Sequence, residues 1–239
     1  MKRENADDVN VIAMSYLSKN PLLHMGMIVP IKRGTAQILY ADENAVCLIE
    51  TESDAYMLSA SDHQASQRLI ELIPPDEMVT FHQEFMLEYL KARMVYSSFL
   101  ENYQAVYFSH APLPVLSDLS VQALDISHFE MVQANYEVDV GAEYLEKRIE
   151  AGELFGGHVN TRLVGFVGIH AEGSIGLLQV FKGFRGKGYG AALTANMVNY
   201  QLSRGCMPFE QIGIENSASL AIARKLGFST SPERVFWMF

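Results

Sequence analysis

The chain has only two cysteines, Cys47 and Cys206, too few for a disulfide framework and without CxxC metal spacing. They read as buried thiols of a reducing compartment. No apolar run approaches the length of a membrane span. The first ten residues, MKRENADDVN, put acids where a secretory signal needs an apolar core. Cations are scarce: 18 Lys and Arg stand against 28 Asp and Glu, for a formal charge of −10. That sign excludes general binding to nucleic acid, whose phosphates demand the opposite charge. There is no low-complexity segment and no short repeat. These absences predict a soluble, cytoplasmic protein with no nucleic-acid partner, no membrane partner and no metal.

What is present is ordinary globular composition, 49% hydrophobic and 19% charged over 239 residues, enough for one large domain or two of usual size. The stretch HAPLPVLSD, His110 to Asp118, carries two prolines and reads as a linker. It divides the chain into residues 1–115 and 116–239, with formal charges of −7 and −3.

The first part reads as alternating α and β. TAQILYADENAVCLIE suggests a hairpin around Asp42-Glu43-Asn44, and AYMLSA a further strand. DHQASQRLIEL has Ala65, Leu69 and Leu72 on one helical face, Asp62 at its N-cap and Pro74-Pro75 after it. EMVTFH suggests a strand, QEFMLEYLKAR an amphipathic helix, and VYSSFLENYQAVYF more β structure. In the second part LSVQAL is a strand, and SHFEMVQANY and GAEYLEKRIEAG are helices, the latter stopped at Gly152. LFGGHV, RLVGFVGIH and IGLLQVF follow as strands, then a glycine-rich loop and a helix to about Ser203. FEQIGIE, SASLAIARKL and RVFWMF complete the chain as strand, helix and strand.

The loop carries the chemistry. Between Lys182 and Lys187 sit three cations and no acid, and Gly186, Gly188 and Gly190 punctuate the entry to the helix. A helix N-terminus has unpaired N–H groups and partial positive charge, and glycines let an anion approach them. The pattern suits a phosphate or pyrophosphate; the alternative is a tight strand-to-helix turn with solvated cations. A Walker A loop needs Lys-Ser/Thr after its last glycine, where this chain has Ala191 and Ala192. The dinucleotide pattern Gly186-x-Gly188-x-x-Ala191 fits loosely, but only two strands remain after it, and it gives no role to Arg185 and Lys187.

R-x-x-G-x-G, matched by Arg185, Gly188 and Gly190, is more specific. Before it come Leu178 and Val180; about 25 residues after it come Asn216, a helix from Ser219, and Leu226-Gly227-Phe228. On these residues the second part resembles a GNAT (GCN5-related) N-acetyltransferase domain. The resemblance implies an α/β (α+β) fold with a mixed central sheet flanked by helices. The order of elements before Val115 resembles a second, degenerate GNAT-like half without the loop. The combination resembles the glycine N-acyltransferase-like branch.

The resemblance implies acetyl-CoA as donor. The loop, Arg185, Gly186, Lys187, Gly188, Tyr189 and Gly190, would hold the pyrophosphate of coenzyme A. The strand residues Leu178, Gln179, Val180 and Phe181 would pair with the pantetheine arm, a backbone N–H near Val180 or Phe181 would face the thioester carbonyl, and Asn216 would cap its helix and face the arm. A small-molecule amine would attack directly, and the protein would be a monomer or homodimer. Two positions depart from the family. Ala223 stands where many members have a tyrosine acid, and Gln179 where some have a glutamate. The remaining base candidates are Glu172, His170 and Glu215, each with a structural alternative as turn or strand-end residue. A coenzyme A-binding protein with little or no catalysis is the competing expectation.

Overall fold

A computed structural model describes residues 2–116, 118–138 and 140–239, with side chains from residue 8 onward. Ser117, inside the expected linker, lies outside the described residues. The chain divides into two compact units. Unit 1 comprises Met1–Ala105, Gln211–Asn216 and Thr230–Phe239; unit 2 comprises Val106–Glu210 and Ser217–Ser229. The sequence places its boundary between residues 115 and 116. The compact units are drawn differently because the last strand returns to pair within unit 1.

Unit 1 begins with α1 (Lys2–Leu17) and α2 (Met25–Arg33), followed by β1 (Ala36–Ala41), β2 (Ala45–Glu50) and β3 (Ala55–Ala60). Then come α3 (His63–Ile70), β4 (Val79–Phe81), a 3-10 turn at Glu84–Met86, α4 (Leu87–Arg93) and β5 (Phe99–Val106). Asp62 caps α3 as expected, its carboxylate accepting from the Ala65 N–H at 2.8 Å. β1, β2 and β3 are antiparallel, β3 pairs with β4 in parallel, and β11 (Ser229–Met238) runs antiparallel to β4 and lies between it and β5. Phe236 faces Phe81 across that pairing, and their rings stack at 4.9 Å in the core with Leu58, Leu69 and Met86.

The two helices of the first 33 residues have no counterpart among the sequence expectations. In α2, Met25 to Pro30 are all buried, so no polar face marks a helical period. Pro30 lies inside it, and the helix ends at Gly34, which is left-handed with φ of 76°.

Unit 2 contains β6 (Ser120–Ala123), α5 (Phe129–Asn135), α6 (Ala142–Glu150), β7 (Leu154–Val159), β8 (Arg162–Ile169) and β9 (Ile175–Val180). A 3-10 turn at Lys182–Phe184 leads to α7 (Tyr189–Ser203), then to β10 (Phe209–Gly213), whose first two residues belong to this unit, and to α8 (Ser217–Leu226). β6 to β9 are antiparallel neighbours, and Ile175 of β9 meets Glu210 of β10 in parallel. Leu154, Phe166 and Leu177 from the strands pack with Val132, Leu145 and Ile149 from α5 and α6. α7 packs against β8 and β9. His110 to Leu116 form no helix or strand, and the Asn199 side-chain amide of α7 holds the Leu113 backbone, accepting from its N–H at 2.7 Å and donating to its carbonyl at 2.8 Å.

Candidate functional site

The site grows from a break in β9. Along β8 the register runs two residues from Phe166 to Gly168, while along β9 it runs three, from Gly176 to Gln179. The extra residue is a bulge, and Leu177 takes a φ of 51° to make it, a conformation a branched side chain rarely adopts. Leu177 stays buried in the core, so packing holds the strained backbone in place. Beyond the bulge, Leu178 and Val180 are half-buried on the same face, and Gln179 is buried. β9 approaches β8 closely here, and Gly165 makes room: a Cβ on it would lie 2.3 Å from the Gln179 carbonyl oxygen.

The Phe181 N–H donates to the Val164 carbonyl at 3.0 Å. Of the two amides expected near a thioester, that leaves Val180 as the candidate. The Val180 carbonyl accepts from Arg185 Nε at 2.9 Å, so the guanidinium is anchored to the strand end. Gly188 caps α7 with φ of 85° and no side-chain cap, and α7 has no acid in its first turn. Its first N–H groups therefore have no intrahelical partner. Around the Cβ positions of Gly183, Gly186 and Gly188 there is open space for 4 Å. A coenzyme A pyrophosphate fits this cradle: bare N–H groups, a helix N-terminus, and Lys182, Arg185 and Lys187 nearby. Lys187 Nζ sits 5.5 Å over the Phe184 ring.

Glu137, between α5 and α6, completes this cluster. Its carboxylate accepts from Arg185 at 2.8 Å. That guanidinium, and the Gln179 amide that also bonds it, hold Glu137 below the usual carboxylate range. Sequence reasoning misses Glu137. It lies 48 residues before Arg185, in a stretch with no motif, and only the tertiary fold joins them.

His170, half-buried, and Glu172, buried, form a separate cluster at the other end of β9. Five residue steps separate Ile175 from Val180, about 16 Å of strand. His170 Nδ1 lies 2.7 Å from the Tyr144 hydroxyl, and burial lowers its pKa. Glu172 accepts from the Ser174 hydroxyl. Burial, reinforced by the charge of Glu172, pushes the Tyr144 phenol far up. Glu215 and Asn216 belong to unit 1, in the turn between β10 and α8, where the Asn216 N–H donates to Gly213 at 2.9 Å. Both side chains are exposed. The structure therefore brings Gln179, Val180 and Arg185 together, and keeps His170 and Glu172 apart from them. Ala223 is fully buried in α8. Among the described residues there is no group of acids, histidines and cysteines able to hold a metal ion. No helix of these residues is long and apolar enough to cross a membrane.

Comparison with known proteins bears on the fold. Residues 157–237 match the family model of FR47-like proteins, a stretch that includes β9, the loop and α7. No curated protein matches the chain in sequence. Among solved structures, a Drosophila protein shares 14% identity at a TM-score of 0.70, with 98% of this chain and 96% of that one covered. A GCN5-related N-acetyltransferase from Kribbella flavida gives 13%, 0.55, 96% and 95%. A GCN5-related N-acetyltransferase-like protein from Streptococcus suis gives 14%, 0.53, 95% and 99%. With its mixed sheet flanked by helices, its bulged strand and its glycine loop opening a helix, the chain has the GNAT fold.

Proposed function

We propose that the protein is an acyl-CoA-dependent N-acetyltransferase that moves an acetyl or short acyl group to a small-molecule amine. The observation that carries this reading is the bare cationic cradle at the start of α7, set directly after the bulged end of β9. Acetyl-CoA, when bound, supplies the activated acyl group. The N–H groups at Gly188 to Gly190, with Arg185 and Lys187, would hold its pyrophosphate. The Val180 N–H would polarise the acyl carbonyl. The Gln179 amide, bonded to Glu137, would orient groups at the strand end without taking a proton, since an amide has no basic oxygen at neutral pH. Glu215, exposed in its turn, is a base candidate open to solvent; His170 and Glu172 would act only through a chain of groups.

In this reading residues 1–115 are a degenerate GNAT-like half, of the glycine N-acyltransferase-like kind. The protein works in the cytoplasm as a monomer or homodimer. Its acidity favours cationic acceptors by electrostatic steering. One observation favours a second reading, a coenzyme A-binding protein with little or no catalysis: buried Ala223 leaves no phenol where a leaving thiolate would be protonated. The test has two parts. Acetyl-CoA should raise the melting temperature under both readings. Release of free thiol with a panel of amines should occur only if the protein is an enzyme. Stabilisation without thiol release for any amine supports the second reading, and no stabilisation refutes both.

A further inference from the structure

We propose that unit 1 carries a second small-molecule site, independent of the coenzyme loop, which binds a small organic ammonium ion bearing an apolar or aromatic group. The site is a cavity of about 560 Å³ where the end of α1 and the turn before α2 meet the ends of β3 and β4 and the middle of β11. That volume is ordinary for a ligand pocket.

The polar groups around it form a network whose proton positions follow from chemistry. β3 and β4 pair from Tyr56–Val79 to Leu58–Phe81. Past that point the Gln83 side chain bridges the two strands. Its Oε1 accepts from the Ala60 N–H and its Nε2 donates to Ser59 Oγ, each at 2.9 Å. His24 Nδ1 lies 3.0 Å from the Leu17 carbonyl, which can only accept, so Nδ1 carries a proton. Burial lowers the pKa of His24 to about 4, so the ring is neutral and its Nε2 accepts. The Ser59 hydroxyl, 2.9 Å away, then donates to Nε2, and the Tyr16 hydroxyl at 3.1 Å donates to Ser59. Every hydroxyl and imidazole proton of this chain is committed.

His82 lines the same cavity and does not close its own account. Its Nδ1 donates to the Leu58 carbonyl at 2.8 Å, which leaves Nε2 a bare acceptor. The ring is 2% exposed, and Nε2 has no partner among the described residues. Burial pushes this histidine down to about 3, so it does not protonate itself to find one. A buried acceptor without a donor is costly, and a ligand N–H would satisfy it.

Charge selects the ligand's sign. Glu84 and Glu233 line the cavity. Arg234, the one cation lining it among the described residues, is paired with Glu101. Burial raises the Tyr16 phenol, and the charges of Asp42, Asp62 and Glu233 add to that, while Lys19 Nζ lies 5.4 Å over the Tyr16 ring. Phe85 and Leu23 supply apolar wall, while the Tyr16 and His24 rings stack on each other at 5.7 Å. The unpaired acceptor His82 Nε2, an apolar wall and two carboxylates, of which Glu233 also accepts from Asn20 at 3.3 Å, fit an arylalkyl or alkyl ammonium ion; a carboxylate or phosphate finds few uncommitted donors.

The test uses the full chain and three isosteric probes: 2-phenylethylamine, 2-phenylethanol and 3-phenylpropanoate. Titration by NMR or calorimetry should show the amine binding about tenfold or more tighter than the alcohol, and no binding of the carboxylate. His82→Asn keeps an N–H for Leu58 and removes Nε2, and should weaken the amine by about tenfold. Glu84→Gln lies outside the buried network, so it decides the matter if His82→Asn fails to fold. It should weaken the amine severalfold and leave the alcohol unchanged. Failure of the amine to bind at about 10 mM overturns the proposal, as does equal binding of all three probes or unchanged amine binding in the folded variants. Acetyl-CoA stabilisation, measured alongside, should persist in both variants. Its absence in wild type would count against the coenzyme reading and leave this one standing.

Discussion

Replacing Gly165 with alanine tests whether the end of β9 is built as described. The new Cβ would sit 2.3 Å from the Gln179 carbonyl oxygen and 3.0 Å from the Val180 Cα. Ordinary contact begins at 3.4 Å, so β9 would have to move by about 1 Å relative to β8. The obstacles are backbone atoms, which cannot swing aside as a side chain can. Overpacking of this kind costs about 1–3 kcal/mol. For a chain of this length that is roughly 2–12 °C in melting temperature. The shift would fall on the backbone expected to face the acyl group, where a 1 Å misplacement costs about 10²-fold in rate. Gly165→Ala should therefore melt several degrees lower, gain less stability from acetyl-CoA, and release thiol far more slowly. Gly183→Ala is the control: its Cβ meets nothing within 4 Å and should leave stability within about 0.5 kcal/mol. A Gly165→Ala protein that melts and binds acetyl-CoA like wild type would refute the close approach of the strands and its importance.

Gly188→Val should cost about 1–2 kcal/mol by forcing a branched residue to φ of 85°, and should abolish acetyl-CoA stabilisation, since the side chain covers the first N–H groups of α7; a persisting thermal shift would place the pyrophosphate elsewhere. Glu137→Gln removes an acid from beside the cradle at the loss of one exposed, solvent-screened ion pair, so acetyl-CoA should bind a few-fold tighter by calorimetry; weaker binding would mean that Glu137 positions Arg185. Burial raises Glu210 from 4.5 to about 8, so across that window the folded chain holds a proton that the unfolded chain releases. Stability should fall as pH rises from 5 to 8, and Glu210→Gln should flatten that part of the melting profile; an unchanged profile would show that Glu210 ionises normally.

The glycine loop and the helix it opens could be read in advance because both are local: Arg185, Gly188 and Gly190 lie within six residues, and Gly188 caps α7. Asp62 was equally legible, since a cap bonds its own first turn. The bulge was not. Leu177 looks like any apolar strand residue, and its φ of 51° follows from the pairing of β9 with β8. Glu137 and Arg185 meet only in the folded chain. α2 was hidden by burial on every side, which erases the period that reveals a surface helix. β11 begins at Ser229, five residues before the apolar run RVFWMF that announces it, with exposed Pro232 inside it. Its pairing with β4 covers only Phe236 to Met238, so a proline fits earlier in the strand.

The place of β11 has a consequence for how the chain is made. β4 and β5 are complete by Val106, yet the strand that lies between them is translated more than a hundred residues later. Until then β4 lacks its partner on the side of Phe81, whose ring stacks on Phe236 of β11. At ribosomal speeds the interval lasts roughly 6–25 s, long compared with hydrophobic collapse. The core around Phe81 can close only after β11 has been made, so unit 1 folds late in synthesis although most of its residues come first.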